Sequence, residues 1–169
     1  MSHEIKNRVA ESSLVTIDFD EFIPNLKTVV FDLKPWLKDE LILVEKDFRE
    51  QVDNHDWYQY RNYLVLIQCS NNAIIPHRAY LLISSRLKVN EISNFIGTVE
   101  DFNNFSIIKS IQNIDVNEFK EKSVVVKGCS NLANKNYYYS LIIDKIQNKV
   151  KSLMFGEACS SVPIFKKKK

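Results

Sequence analysis

Leu64-Val65-Leu66-Ile67-Gln68-Cys69-Ser70-Asn71-Asn72-Ala73 decides how the chain is read, because its pattern returns as Val124-Val125-Val126-Lys127-Gly128-Cys129-Ser130-Asn131-Leu132-Ala133. Each stretch is an apolar run, rich in branched side chains as buried strands are, closed by Cys-Ser-Asn-x-Ala. The likeness continues. Tyr80-Leu81-Leu82-Ile83 is matched, one residue out of step, by Tyr139-Ser140-Leu141-Ile142, and Phe95-Ile96-Gly97 by Met154-Phe155-Gly156. From cysteine to glycine is 28 residues in the first copy and 27 in the second, which predicts one residue missing from the second copy's loop before the helix.

Within each copy the apolar spacing changes from that of a strand to that of a helix. Ala79, Leu82, Ile83 and Leu87 share one helical face, as do Leu141, Ile142, Lys145 and Ile146. Strand, turn, helix, strand predicts a parallel pair with a right-handed crossover. The expected fold is α/β, a single domain over 1–169 built on two βαβ units (63–97 and 123–156). Gly97, Gly128 and Gly156 stand at strand ends, and an N-terminal extension packs on or beside the sheet.

Outward from the repeats, a short helix is expected over 5–10 and strands over 14–19 and 29–33. Pro35 opens a helical turn over 36–38. An apolar run at 41–44 suggests a short strand, and 45–53 a loop or short helix with a solvated, charged face. Residues 99–114 read as a linker, with a helix starting at Asp115.

The chain has 169 residues, 45% apolar and 26% charged, ordinary for a globular domain. Three glycines leave no room for a G-x-G-x-x-G turn or a P-loop. Net charge is +2, but Lys166 to Lys169 supply four of the positive charges, so the body is slightly acidic. No nucleic-acid partner is expected of such a body, and the tail reads as a solvated, frayed terminus. The opening residues lack an apolar signal region, and no apolar run is long enough to span a bilayer, so a cytoplasmic protein without a membrane partner is expected. Three reduced cysteines, an odd number, fit that compartment.

Each cysteine precedes a serine: Cys69-Ser70, Cys129-Ser130 and Cys159-Ser160. Cys69 and Cys129 end expected parallel strands, where open α/β sheets collect ligands, and both precede a helix. If the last strand pairs in parallel beside the others, Cys159 joins them on one rim. Three convergent thiolates suit zinc or an iron–sulfur cluster. Zinc is preferred because no cluster-type cysteine spacing is present. His55, with Asp56 beside it, or His77, at a helix start, could be the fourth ligand. The alternative is that all three thiols fill the core. A third reading makes one of them a nucleophile that carries a persulfide.

Several further segments carry a resemblance: Asp32-Leu33-Lys34-Pro35-Trp36-Leu37, Glu45-Lys46-Asp47-Phe48-Arg49, His55-Asp56-Trp57, Lys127-Gly128-Cys129-Ser130, Gly156-Glu157-Ala158-Cys159-Ser160 and Val162-Pro163-Ile164-Phe165-Lys166. With them the chain resembles, nearly end to end, an uncharacterised bacterial family of domains of unknown function. The resemblance implies a setting beside iron–sulfur cluster assembly and partners from that process. It also favours His55 over His77, because His77 falls where the family carries another residue. The expected function is a non-enzymatic, metal- or thiol-dependent accessory protein, with zinc on Cys69, Cys129, Cys159 and His55. The alternatives are an interaction module working through Trp36, Trp57 and the lysine tail, and a thiol- or persulfide-transfer enzyme.

Overall fold

The computed structural model describes residues 14–71, 73–128, 132, 134–157 and 159–168. The fold is α/β, with parallel strands and helices alternating along the chain. The expected domain is built of two compact units. A central unit spans Asn25–Asn103, and a flanking unit combines the chain up to Pro24 with the chain from Asn104. The helix expected over 5–10 lies outside the described residues.

After β1 (Leu14–Ile17), which belongs to the flanking unit, the central unit carries β2 (Thr28–Asp32), then α1 (Glu45–Asn54), β3 (Leu64–Gln68), α2 (His77–Val89) and β4 (Asn94–Ile96). Its sheet order is β2-β3-β4, all parallel, with Phe31 opposite Ile67 and Ile67 opposite Ile96. Leu64 to Ile67 are buried on both faces of the middle strand, which is why they read as an unbroken apolar run. Ala79, Ile83 and Leu87 of α2 and Phe48 and Val52 of α1 close the core over Phe31, Val65 and Ile67. Each aliphatic side chain so buried contributes about 1.5–3 kcal/mol.

The flanking unit opens with β1 (Leu14–Ile17) and resumes at Asn104, within α3 (Val99–Asn113), followed by β5 (Ser123–Val126), α4 (Lys135–Ile146), β6 (Ser152–Phe155) and β7 (Val162–Lys166). Its sheet order is β1-β5-β6-β7, with β7 alone antiparallel. Ile107, Ile111, Tyr138, Ile142 and Ile146 cover Ile17, Val124, Val126 and Leu153.

The two units are copies of one plan, larger than the sequence repeat. Phe48 and Ile107, Val52 and Ile111, Ile67 and Val126, Ala79 and Tyr138, Ile83 and Ile142, and Leu87 and Ile146 are buried counterparts, each pair 59 residues apart. Asp56 and Asp115 keep that spacing, and each caps a 3-10 turn by accepting from the backbone N–H two residues on. Gly97 and Gly156 keep it too. They donate at 3.0 Å to the carbonyls of Ile67 and Val126, with φ of 142° and 120°. The opening strands break the spacing. Ile17 and Phe31 occupy the same place beside Val126 and Ile67 yet lie 14 residues apart, because the central unit interrupts the flanking one.

This corrects three expectations. The spacing is unchanged on both sides of the loop after β3 and β5, so no residue is missing from the second copy. The Cys-Ser-Asn match is instead one residue out of register, and the counterpart of Cys69 is Gly128. Residues 99–114 are not a linker but α3, the counterpart of α1, and Asp115 caps a 3-10 turn rather than opening a helix. Leu41 and Ile42 form no strand. They are exposed on a turn tied by a single bridge between Lys38 and Ile42.

Lys166 closes β7 opposite Ser152, and the Lys167 N–H donates to the Lys151 carbonyl at 3.0 Å, so these two tail lysines are held. Among the described residues, no helix is long and apolar enough to cross a membrane.

Candidate functional site at the strand ends

In the central unit, Asp32 and Cys69 follow one another across the carboxyl ends of β2 and β3. Asp32 Oδ1 accepts from the backbone N–H of Lys34 and of Ser70, both at 3.0 Å. Burial works against this carboxylate, but hydrogen bonds from Ser70 and from the Lys34 N–H, with the Lys34 charge, outweigh it and hold Asp32 below its ordinary range. Lys34 in turn pairs with Glu40 at 3.0 Å, which raises its own value. The carboxylate thus fastens the loop after β3 to the turn after β2.

Cys69 sits half-buried in that loop. Its Sγ–H donates to Asn71 Oδ1 at 2.9 Å, and the same oxygen accepts from the Ala73 N–H at 3.2 Å. Tyr80, in the first turns of α2, is shifted upward by burial and by the neighbouring Cys69 and Asp32.

The same end of the flanking unit has a different chemistry. Asp18, the counterpart of Asp32, accepts from Lys127 Nζ at 2.7 Å and from the Asp20 N–H at 3.1 Å. Lys127 holds Asp18 below its ordinary range, and Asp18 raises Lys127. Tyr139, the counterpart of Tyr80, sets its hydroxyl 3.5 Å from the Lys127 carbonyl. Cys159 is exposed in the turn after β6.

His55 belongs to the central unit, in a box of rings rather than on the strand-end loop. Its ring centroid lies 4.7 Å from Trp57, 5.1 Å from Trp36, 5.6 Å from Tyr60 and 5.8 Å from Phe31. Its Nε2 meets the Tyr60 hydroxyl at 2.9 Å, and burial lowers its pKa. The counterpart of His55 in the flanking unit is Ile114, which packs against that core. His77 is exposed at the first position of α2.

The two described thiols therefore do not line one sheet rim. Cys69 follows the middle strand of the three-stranded sheet, whereas Cys159 follows β6 of the four-stranded one. Cys129 lies outside the described residues. Among the described residues, no group of three or more His, Cys, Asp or Glu side chains could hold a metal. Sequence reasoning missed the strand-end aspartates. Their signal was the shared pattern Ile17-Asp18-Phe19 and Phe31-Asp32-Leu33, an acid between two buried apolar residues.

A cavity of about 590 Å³ opens at the opposite end of the central sheet, lined by residues such as Lys27, Arg61 and Glu91. It contains none of the thiols or strand-end carboxylates.

Fold and site together define an α/β protein built of two copies of one unit, with charged, hydrogen-bonded strand ends. The chain belongs to the family described as "Protein of unknown function (DUF2480)", whose family model matches residues 3–167. No curated protein and no solved structure matches the chain.

Proposed function

We propose that this is a non-enzymatic accessory protein that works through its thiols, in the setting of iron–sulfur cluster assembly implied by the family resemblance. The observation that carries the reading is the placement of Cys69. It closes the middle strand of a parallel sheet, half-buried, on a loop pinned by Asp32 and Asn71. Strand ends of open parallel sheets are where such folds present ligands. The strand-end carboxylates are engaged in holding loops and in an ion pair, which suits a presenting surface better than acid–base chemistry.

In its metal-binding form, Cys69 would supply a thiolate to zinc, a metal that takes thiolate donors.

Elemental analysis of the purified chain, beside a Cys69→Ser variant, tests the reading. About one zinc per chain, lost in the variant, supports it. Native alkylation that quickens only after chelation supports it as well. A folded, metal-free wild type whose thiols ignore a chelator overturns the metal-binding form. A half-buried Cys69 that outpaces the exposed Cys159 without chelator would instead favour thiol transfer.

A further inference from the structure

Three segments of the flanking unit meet at the amino ends of its parallel strands. The Lys151 N–H donates to the Lys122 carbonyl at 2.8 Å, the Glu121 N–H to the Lys149 carbonyl at 2.9 Å, and the Lys167 N–H to the Lys151 carbonyl at 3.0 Å. These bonds gather Lys120, Lys122, Lys149, Lys151, Lys166, Lys167 and Lys168 at one end of the unit, all exposed. The only acid within those segments is Glu121, which is already paired with Lys167. Lys120 and Lys151 also act on Glu121, and together with Lys167 they hold it below its ordinary range.

Seven like charges held together by backbone hydrogen bonds repel one another. Their field extends into solvent largely uncompensated. The whole chain carries a net charge of only +2, so the rest of it is net negative and the positive charge is concentrated here. Composition hides this patch, because its members lie in three separate stretches of sequence.

We propose that this lysine cluster is a docking surface for an acidic segment of a partner protein, independent of the thiols. Charge complementarity selects an anionic occupant. The make-up of the patch selects a peptide. It holds no arginine for bidentate phosphate or base recognition. Its aromatic neighbours turn to the core, Phe119 buried and Phe165 packed against it, so neither offers a free ring face for base stacking. The patch adjoins β7, the edge strand of the sheet, alongside which an extended segment can lie.

The test uses the full chain and a fluorescent oligoglutamate peptide, titrated at low and raised salt. The expected result is saturable binding that weakens as salt rises. It falls about tenfold in the variant K120Q/K122Q/K149Q/K151Q. It survives in K38Q/K46Q/K88Q/K109Q, which removes as many lysines from elsewhere. Circular dichroism confirms that both variants fold. If the first does not, K120Q/K149Q takes its place and should still bind several-fold more weakly. No binding by the wild type, or equal loss in both variants, overturns the proposal. So does tighter binding of duplex DNA, single-stranded RNA or phosphatidylserine vesicles than of the peptide at the same salt.

Discussion

Lys127 Nζ donates to Asp18 Oδ2 at 2.7 Å, joining the residue after β5 to the residue after β1 across 109 positions of the chain. This contact ties the first strand of the flanking unit to the part of that unit that follows the insertion. In the central unit Asp32 does the same work with backbone N–H groups in place of a lysine.

Asp18→Ala removes both that ion pair and the cap on the following 3-10 turn. The lost cap alone costs about 1 kcal/mol. The Asp18 carboxyl titrates below its ordinary 3.8 in the folded chain. Its charged form therefore stabilises the fold above that pH, and the contribution disappears as pH falls through the folded value. Urea denaturation should show a clear gap between wild type and variant at neutral pH, and a narrower one in acid. A gap that stays constant with pH would refute the electrostatic part.

Gly97→Ala should be the most costly of the three Gly→Ala changes. Its φ of 142° is unfavourable for any side chain, and an added Cβ would lie 2.9 Å from Phe95 Cε1 and 3.1 Å from Asp101 Cβ. Strain of this kind costs on the order of 1–3 kcal/mol. Gly156 shares the backbone strain, but its nearest neighbour would be at 3.3 Å. Gly128 has no positive φ and would press only on the Phe155 ring, at 2.7 Å. Thermal denaturation of the three variants should rank Gly97 as the most sensitive.

The central halves of both units were legible in the sequence because buried middle strands and one-sided helices leave strong apolar periodicities. Leu64 to Ile67 and the Ala79, Ile83, Leu87 face are the clearest cases. The outer halves were legible only in part, since the strands expected over 14–19 and 29–33 stand as β1 and β2 but their kinship did not show. Phe48 and Ile107 are counterparts by burial, not by identity, and Ile17 and Phe31 are displaced from the common spacing by the insertion. The shared Cys-Ser-Asn drew attention because identical letters outweigh shared burial to the eye. The strand pairing shows it one residue out of register, which removes the symmetry that had made three cysteines look matched. The lysine cluster was invisible for the opposite reason, since only strand pairing brings its three segments together.

His55 should make the fold sensitive to mild acid. Burial lowers its pKa below the ordinary 6.5, so the folded chain holds the ring neutral while the unfolded chain protonates it first. Its contribution is whole above about 6.5 and is lost as pH falls from there through the folded value. His55→Phe keeps a ring in the box but gives up the Tyr60 hydrogen bond, costing about 1 kcal/mol at neutral pH. The variant should lose the decline in stability expected of the wild type as pH falls below about 6.5. An unchanged decline would place its origin elsewhere.

The two described thiols should react at different rates. Cys159 is exposed, whereas Cys69 is half-buried and its Sγ–H is bound to Asn71. Asn71 also holds the loop by accepting from the Ala73 N–H, and its amide donates to the Glu40 carbonyl. Asn71→Ala would release all three contacts and open the loop around Cys69. A time course of native alkylation, read by peptide mass spectrometry, should label Cys159 first and Cys69 later. In Asn71→Ala the labelling of Cys69 should quicken several-fold while that of Cys159 stays as it was, because reactivity follows access to the thiol. Equal rates for the two cysteines in the wild type would mean that the Asn71 contact does not shield the sulfur.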